Sequence, residues 1–318
     1  MIDVPHKEIK KRAMPAFCIG EFMSEINGII IINKEKSYTS HDVVARVRRI
    51  LGTRKVGHTG TLDPDATGVL PICIGKGTKV SDMLTFSDKE YIADVKLGVV
   101  TDTQDIWGTV LEENELPVDF SESKLLDAIS HFTGDIMQVP PMYSAIKING
   151  KKMCDLAREG IEVERKARKI TIYKIDLLDV GVDSFKIRVS CSKGTYIRTL
   201  CHDIGQYLGC GACMTSLLRT KSSIFNIDEA ITLGQLEDIV ESGNLEKVLR
   251  PVDSVFMDYT RFDADEEITK RLTNGALSTV DVPCADYRVY NPDGEFIAIG
   301  RVEKVKNRNK IGVVKKFK

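Results

Sequence analysis

One stretch holds the residue types that could do chemistry. It is Gly57-His58-Thr59-Gly60-Thr61-Leu62-Asp63-Pro64-Asp65-Ala66-Thr67-Gly68-Val69-Leu70, which sets the Asp63 carboxylate in a loop punctuated by glycines. An ionised carboxylate held in such a loop can serve as a nucleophile. Gly57, Gly60 and Gly68 permit backbone angles and close approaches that side chains forbid, and Pro64 biases Asp63 towards an extended conformation. The plain alternative is a turn, since Asp-Pro among glycines is also an ordinary turn signal whose aspartate bonds only nearby backbone.

The elements that must position this loop are legible on either side of it. Before it, Thr39 and Ser40 can cap a helix over 41–51, whose apolar residues Val43, Val44, Val47, Ile50 and Leu51 recur at helical spacing and which Gly52 ends. After it comes the apolar stretch Val69 to Ile74. Further strands are predicted at Gly28 to Ile32, Tyr91 to Leu97, Lys169 to Tyr173 and Phe185 to Ser190. A hairpin is predicted from Tyr287 to Val302, turning at Asn291-Pro292-Asp293-Gly294. Helices are predicted over 122–133, 196–208 and 233–241. Strands and helices alternate without the regular rhythm of a doubly wound sheet, so the pattern reads as α+β.

Composition bounds the function without choosing it. The 318 residues, 42% hydrophobic and 29% charged, suffice for one large or two modest domains with real cores. No apolar run approaches the ~18 residues of a membrane span, and the basic start has no signal-peptide core before Phe17. Eight scattered cysteines suggest reduced thiols and a cytoplasmic location. Cys210-Gly211-Ala212-Cys213 has a metal-like spacing but no second pair, so no metal site is expected. Gly75-Lys76-Gly77-Thr78 lacks the spacing of a phosphate-cradling nucleotide loop. The net charge of −1 hides strong segregation: residues 301–318 carry eight basic side chains against one acid, and residues 34–55 carry seven against two. Residues 226–260 carry eight acids against two bases. A near-neutral total can thus conceal a basic face able to follow a phosphate backbone, although such runs also simply solvate surfaces.

The string GHTGTLDPDATGVLP closely resembles the signature loop of the bacterial tRNA pseudouridine-55 synthases, the TruB-type pseudouridine synthase family. Further matches follow in order through roughly residue 225. GIIIINK at Gly28 to Lys34, with Thr39 and Ser40, resembles that family's opening strand and first loop. Lys89-Glu90-Tyr91 and the run Leu97 to Thr103 resemble its second block. Gln138 to Lys147 and Ala157-Arg158-Glu159-Gly160 resemble its RNA-gripping insertion. Cys191 to Leu200 resembles the segment carrying its active-site arginine, and Leu217 and Arg219 sit in its closing block. Two departures stand out. Asn33-Lys34-Glu35-Lys36-Ser37 lacks the proline and glycine usual in the first loop, and Cys154 replaces a common aromatic residue.

The resemblance implies an α+β pseudouridine synthase fold, a mixed and largely antiparallel sheet flanked by helices, with a small C-terminal PUA-like domain. Residues 1–26 would be an extra, poorly ordered tail, with Met23 an alternative start. Residues 27–250 would form the catalytic domain, with its insertion near 138–160, and residues 251–318 the PUA-like RNA-binding domain. The implied activity isomerises uridine 55 in the T-loop of tRNAs. The N1–C1′ bond breaks, the base turns, and C5 joins C1′; with no redox change, no cofactor is required.

Asp63 would be the nucleophile, attacking C6 of the base or C1′ of the sugar, while eliminative variants are also conceivable. Tyr91 would stack on the uracil and assist proton transfer, and Arg198 would pair with and orient Asp63. The target base must be flipped from its stack, and His58 would fill or stabilise the gap unless it only structures the loop. Gly60, Leu62 and Leu217 would line the pocket. Lys34, Lys147, Lys151, Lys152 and Arg158 would contact phosphates. The expected partner is the tRNA T-arm, bound by a monomer with no obligatory protein partner and no membrane. A tRNA-folding chaperone role is the rival or companion activity.

Overall fold

The computed structural model describes residues 26–148 and 150–317, so the expected tail at 1–26 falls outside it except for Ile26. A nine-stranded sheet holds most of the chain up to Asn226. Its strands run in the order Gly28–Lys34, Thr67–Ile74, Ala212–Ser222, Lys89–Leu97, Ser184–Cys191, Arg168–Val180 and Gly134–Gln138. Two short strands, Val56–His58 and Phe225–Asn226, pair at its margin. All pairings are antiparallel except that of Thr67–Ile74 with Ala212–Ser222, where Leu218 faces Thr67 and Arg219 faces Gly68. This one parallel contact places the Asp63 loop beside the strand carrying Leu217 and Arg219.

The residue pattern explains the layers. Along Lys89–Leu97 buried and half-buried residues alternate, so Tyr91, Ala93, Val95 and Leu97 face one core. Helices Glu122–His131 and Ile197–Leu208 close that core, contributing Leu125, Ala128, Leu200 and Ile204. In contrast, Ile29, Ile30, Ile31 and Ile32 are buried on both faces. Helices Ser40–Leu51 and Leu233–Glu241 cover Ile30 and Ile32. Phe256, Ile299 and Phe317 cover Ile29 and Ile31. A continuous apolar run is what a strand sandwiched on both sides needs.

Helix Ser40–Leu51 begins one residue before its predicted start. Thr39 is its N-cap, in a capping box with Asp42, and Gly52 ends it at φ 62°. Helix Ile197–Leu208 begins one residue later than expected, because Tyr196 is extended and its amide donates to Gln138. The predicted helix over 122–133 stops at His131.

Beyond Arg250, which exchanges two backbone hydrogen bonds with Ile29, the chain builds a second sheet. Its five strands are ordered Thr260–Asp263, Asp286–Tyr290, Phe296–Val305, Arg308–Lys316 and Ser278–Thr279, with helix Glu266–Thr273 packed alongside. The predicted hairpin is present. Asn291 holds its turn by accepting the Glu295 amide, and Gly294 takes φ 78°. Cys210 and Cys213 are both buried, and no group of three or more His, Cys, Asp or Glu residues among the described residues is arranged to hold a metal. No helix among them is long and apolar enough to cross a membrane.

Candidate active site

The Asp63 loop is fixed from several directions by residues distant in sequence. The Ser40 hydroxyl accepts the Leu62 amide at 2.9 Å and donates to the Leu62 carbonyl at 3.2 Å. The Ala66 amide donates to the Asp63 carbonyl, closing a tight turn through Pro64. Gly60 and Gly68 are left-handed, at φ 98° and 104°. A Cβ on Gly68 would stand 2.3 Å from the Arg219 carbonyl, so only glycine lets these strands meet. Gly57 has no such constraint: a Cβ there would find only the Ser81 hydroxyl, at 3.9 Å, and its backbone is not left-handed.

Asp63 is brought to Arg198. Arg198 Nε lies 3.0 Å from Asp63 Oδ2, and its Nη1 is 3.6 Å from Asp105 Oδ2. Nη1 also donates to the Thr103 carbonyl at 2.8 Å, and Nη2 to the Tyr143 carbonyl at 2.9 Å. The Arg198 side chain is only 6% exposed, whereas that of Asp63 is 45% exposed. The guanidinium is therefore spent on fixed partners, and the carboxylate it orients keeps an open side. Asp105 stands close by, its carboxyl pushed above the ordinary range by burial although the Thr103 hydroxyl and Arg198 oppose the shift. Asp105 was not singled out from sequence, though it lies two residues beyond the Leu97 to Thr103 run that was.

Tyr91, Leu62 and Leu217 belong to one buried cluster beneath the loop. Burial pushes the Tyr91 hydroxyl above its usual range, so it is a neutral phenol at neutral pH. Arg219 lies directly across the strand pair from Tyr91, and its charge opposes the upward shift of the Tyr91 hydroxyl. Fully buried, Arg219 also donates to the Val69 carbonyl at 2.7 Å and the Gly60 carbonyl at 3.1 Å. From the strand beside that of Tyr91, it thereby ties the loop to the strand after it.

His58 is half-buried beside His41, their rings edge-on with centroids 5.3 Å apart. Burial, with His41 and Arg219 adding, pushes its pKa down to about 4, so it is neutral near pH 7. Its Nδ1 is buried without a hydrogen-bond partner.

Lys34 corrects an expectation. It is not placed to contact a phosphate, because its side chain is fully buried and its ammonium donates to the carbonyls of Tyr38 at 2.6 Å, Pro64 at 2.8 Å and Glu35 at 3.0 Å. Burial lowers its pKa to about 8, with Asp65 and Asp63 opposing. It is an internal tie between the first loop and the residue after Asp63. The first loop, lacking the usual glycine, nonetheless turns through the left-handed region at Ser37, φ 70°, whose amide donates to the Pro64 carbonyl.

Lys147, Lys151, Lys152 and Arg158 are not gathered around Asp63. They lie on a two-residue-strand hairpin, Lys147–Ile148 with Lys151–Lys152, and on the short helix Met153–Arg158. All four are exposed. The root of this insertion reaches the site through the Tyr143 carbonyl, which accepts from Arg198.

Residues 48–197 match the profile of the TruB family pseudouridylate synthase N-terminal domain, and residues 198–257 match that of the tRNA pseudouridylate synthase B C-terminal domain. The tRNA pseudouridine synthase B of Clostridium acetobutylicum is 47% identical over 283 residues, covering 87% of this chain and 96% of that protein. The tRNA pseudouridine synthase B of Bacillus pumilus is 43% identical over 285 residues, covering 86% and 92%. The chain belongs to the TruB family.

As a TruB-family protein it is a tRNA pseudouridine synthase, an isomerase. The TruB fold seen here also resembles solved structures at lower identity. One is a Cbf5-Nop10-Gar1 complex, with 28% identity, a TM-score of 0.69 and coverage of 92% of this chain and 85% of the other. Another is an H/ACA ribonucleoprotein bound to a substrate RNA containing 2′-deoxyuridine, with 26% identity, a TM-score of 0.68 and the same coverage.

Proposed function

We propose that this enzyme isomerises uridine 55 in the T-loop of tRNA with Asp63 as its nucleophile. The observation that carries this reading is the pairing of a half-exposed Asp63 carboxylate with a buried Arg198 at 3.0 Å, inside a loop whose backbone is tied down on both sides. Asp63 adds to one of two electrophilic carbons, C6 of the base or C1′ of the ribose, and the N1–C1′ bond breaks. After the base turns, C5 joins C1′, the C5 proton leaves for solvent while N1 takes one up, and the carboxylate is released unchanged, so the product is an isomer of the substrate. No electrons are gained or lost, so the reaction needs no cofactor. Arg198 fixes the attacking carboxylate in one orientation, which lowers the barrier by removing its rotational freedom.

Tyr91 stacks on the uracil and assists proton transfer at the base, its buried hydroxyl being neutral before reaction. Leu62, Leu217 and Gly60 line the pocket with it. The target base must leave its stack, at a cost of a few kcal/mol. Neutral His58 fits the place of a planar group that occupies the vacated stack without carrying charge into it. Lys147, Lys151, Lys152 and Arg158 supply the exposed cations that fix the RNA backbone. Residues 27–250 serve as the catalytic unit and residues 251–318 as a PUA-like RNA-binding unit.

The test uses purified protein and a bare T-arm hairpin carrying tritium at C5 of the target uridine, with no accessory protein or guide RNA. Stoichiometric tritium release, lost when the target uridine is moved one position along the loop, is the expected result. Binding of the hairpin without release would instead favour a tRNA-folding chaperone.

A further inference from the structure

The chain has one tryptophan, Trp107, and it is not in a core. Its side chain lies 45% exposed in the turn between strands Val99–Thr101 and Val110–Glu113. Single exposed apolar residues are ordinary, but two features set this one apart. The first is rigidity. The Trp107 amide donates to Asp105 Oδ1, which also accepts the Thr103 hydroxyl at 2.7 Å. The Ile106 amide donates to the Met214 carbonyl at 2.9 Å, and the Thr109 amide to Asp102 Oδ1 at 2.8 Å. Gly108 packs so closely that a Cβ would stand 2.2 Å from the Thr103 hydroxyl. The indole is therefore mounted on a braced turn, and ordering it on binding costs little entropy.

The second feature is position. Asp105, which accepts the Trp107 amide, faces Arg198, the partner of Asp63. From the other side, the Lys36 ammonium sits over the indole ring, 5.0 Å from its centroid. Lys36 belongs to the first loop, whose next residue, Ser37, is tied to the Pro64 carbonyl beside Asp63. Two loops that each hold one side of the Asp63 site thus meet at an exposed aromatic ring and a cation. A flat π-surface beside a positive charge is the combination that binds an unpaired nucleotide, the ring stacking on its base and the cation meeting its phosphate.

We propose that Trp107 and Lys36 form a nucleotide-binding rim of the active site, where a base next to the flipped uridine stacks on the indole while Lys36 pairs with the adjoining phosphate. The rim adds affinity and helps select substrates whose loop presents an unstacked base there. It rests on tRNA being the substrate, and not on Asp63 being the nucleophile.

Because Trp107 is the sole tryptophan, the intact protein reports on the site directly. Titration with the T-arm hairpin, followed by tryptophan emission and in parallel by filter binding, is expected to quench the emission with the same midpoint as binding. The Trp107→Ala variant keeps the backbone amide that bonds Asp105, and is expected to raise KM for the hairpin about ten-fold, in line with loss of one base-aromatic stack, with a smaller fall in kcat. Trp107→Phe should recover most of that loss. Lys36→Ala should lower the slope of log affinity against log salt by about one. Hairpin bound to saturation with tryptophan emission unchanged would overturn the proposal, as would a Trp107→Phe variant impaired as much as Trp107→Ala.

Discussion

The Asp63 loop and the 138–160 insertion both reach Arg198, yet they are built in opposite ways. Around Asp63 the polar contacts draw in residues far along the chain: Lys34 on the Pro64 carbonyl, Ser40 on both polar groups of Leu62, Arg219 on Val69 and Gly60. The insertion instead has a hairpin with strands of two residues and a six-residue helix, anchored by buried Met153, Leu156 and Ser144. Its ion pairs, Lys151 with Glu159 and Arg158 with Asp155, join exposed side chains, and such pairs contribute about 0–1 kcal/mol. The difference fits the two tasks proposed for these regions. A carboxylate that must attack one carbon needs a fixed geometry, while cations that must find phosphates on a flexible RNA gain from remaining adjustable.

If that division is right, damage to the two regions should separate in kinetics. Arg198→Met removes the guanidinium that orients Asp63, and should lower kcat about 10²-fold while the Kd for hairpin changes much less. Equal losses in kcat and affinity would blur the contrast. Lys34→Met leaves three carbonyls without their donor inside the protein, where each unsatisfied group costs about 1–3 kcal/mol. A denaturation midpoint that falls clearly, with RNA affinity per folded molecule retained, would separate an internal tie from a phosphate contact.

The insertion should fail in the other direction. Replacing Lys147, Lys151, Lys152 and Arg158 together by alanine should weaken hairpin binding about ten-fold at moderate salt and flatten its salt dependence, leaving the denaturation midpoint nearly unchanged. An unaltered salt slope would remove these side chains from the phosphate contacts. The smallest effect is expected at Ser37, a non-glycine residue held at φ 70°. Ser37→Gly should stabilise the fold by about 1 kcal/mol through relief of that conformation, and a drop in stability would mean that the side chain compensates for it.

What was legible in sequence was local. The cap at Thr39, the stop at Gly52 and the strand at Tyr91 to Leu97 depend on near neighbours, and they form as predicted, the strand starting two residues earlier at Lys89. The Asp63 loop was legible as a loop for the same reason. Its tethers were not, because they arrive from far along the chain: Arg219 bonds Val69 across 150 residues, and Lys34 bonds Pro64 across 30. A lysine next to a basic segment reads as a surface cation until the fold shows it enclosed. Gly57 shows the converse error, since a glycine in a glycine-rich loop reads as required although nothing crowds it. Trp107 carried no signal at all until its neighbours were known.

If Asp63 makes and breaks the bond to substrate, the rest of the loop only holds it in place. The direct test is single-turnover tritium release from a saturating T-arm hairpin by Asp63→Asn, with hairpin Kd measured on the same preparation. No detectable release with a Kd within a few-fold of the unaltered protein is expected; release at an undiminished rate would remove Asp63 from the bond-making step.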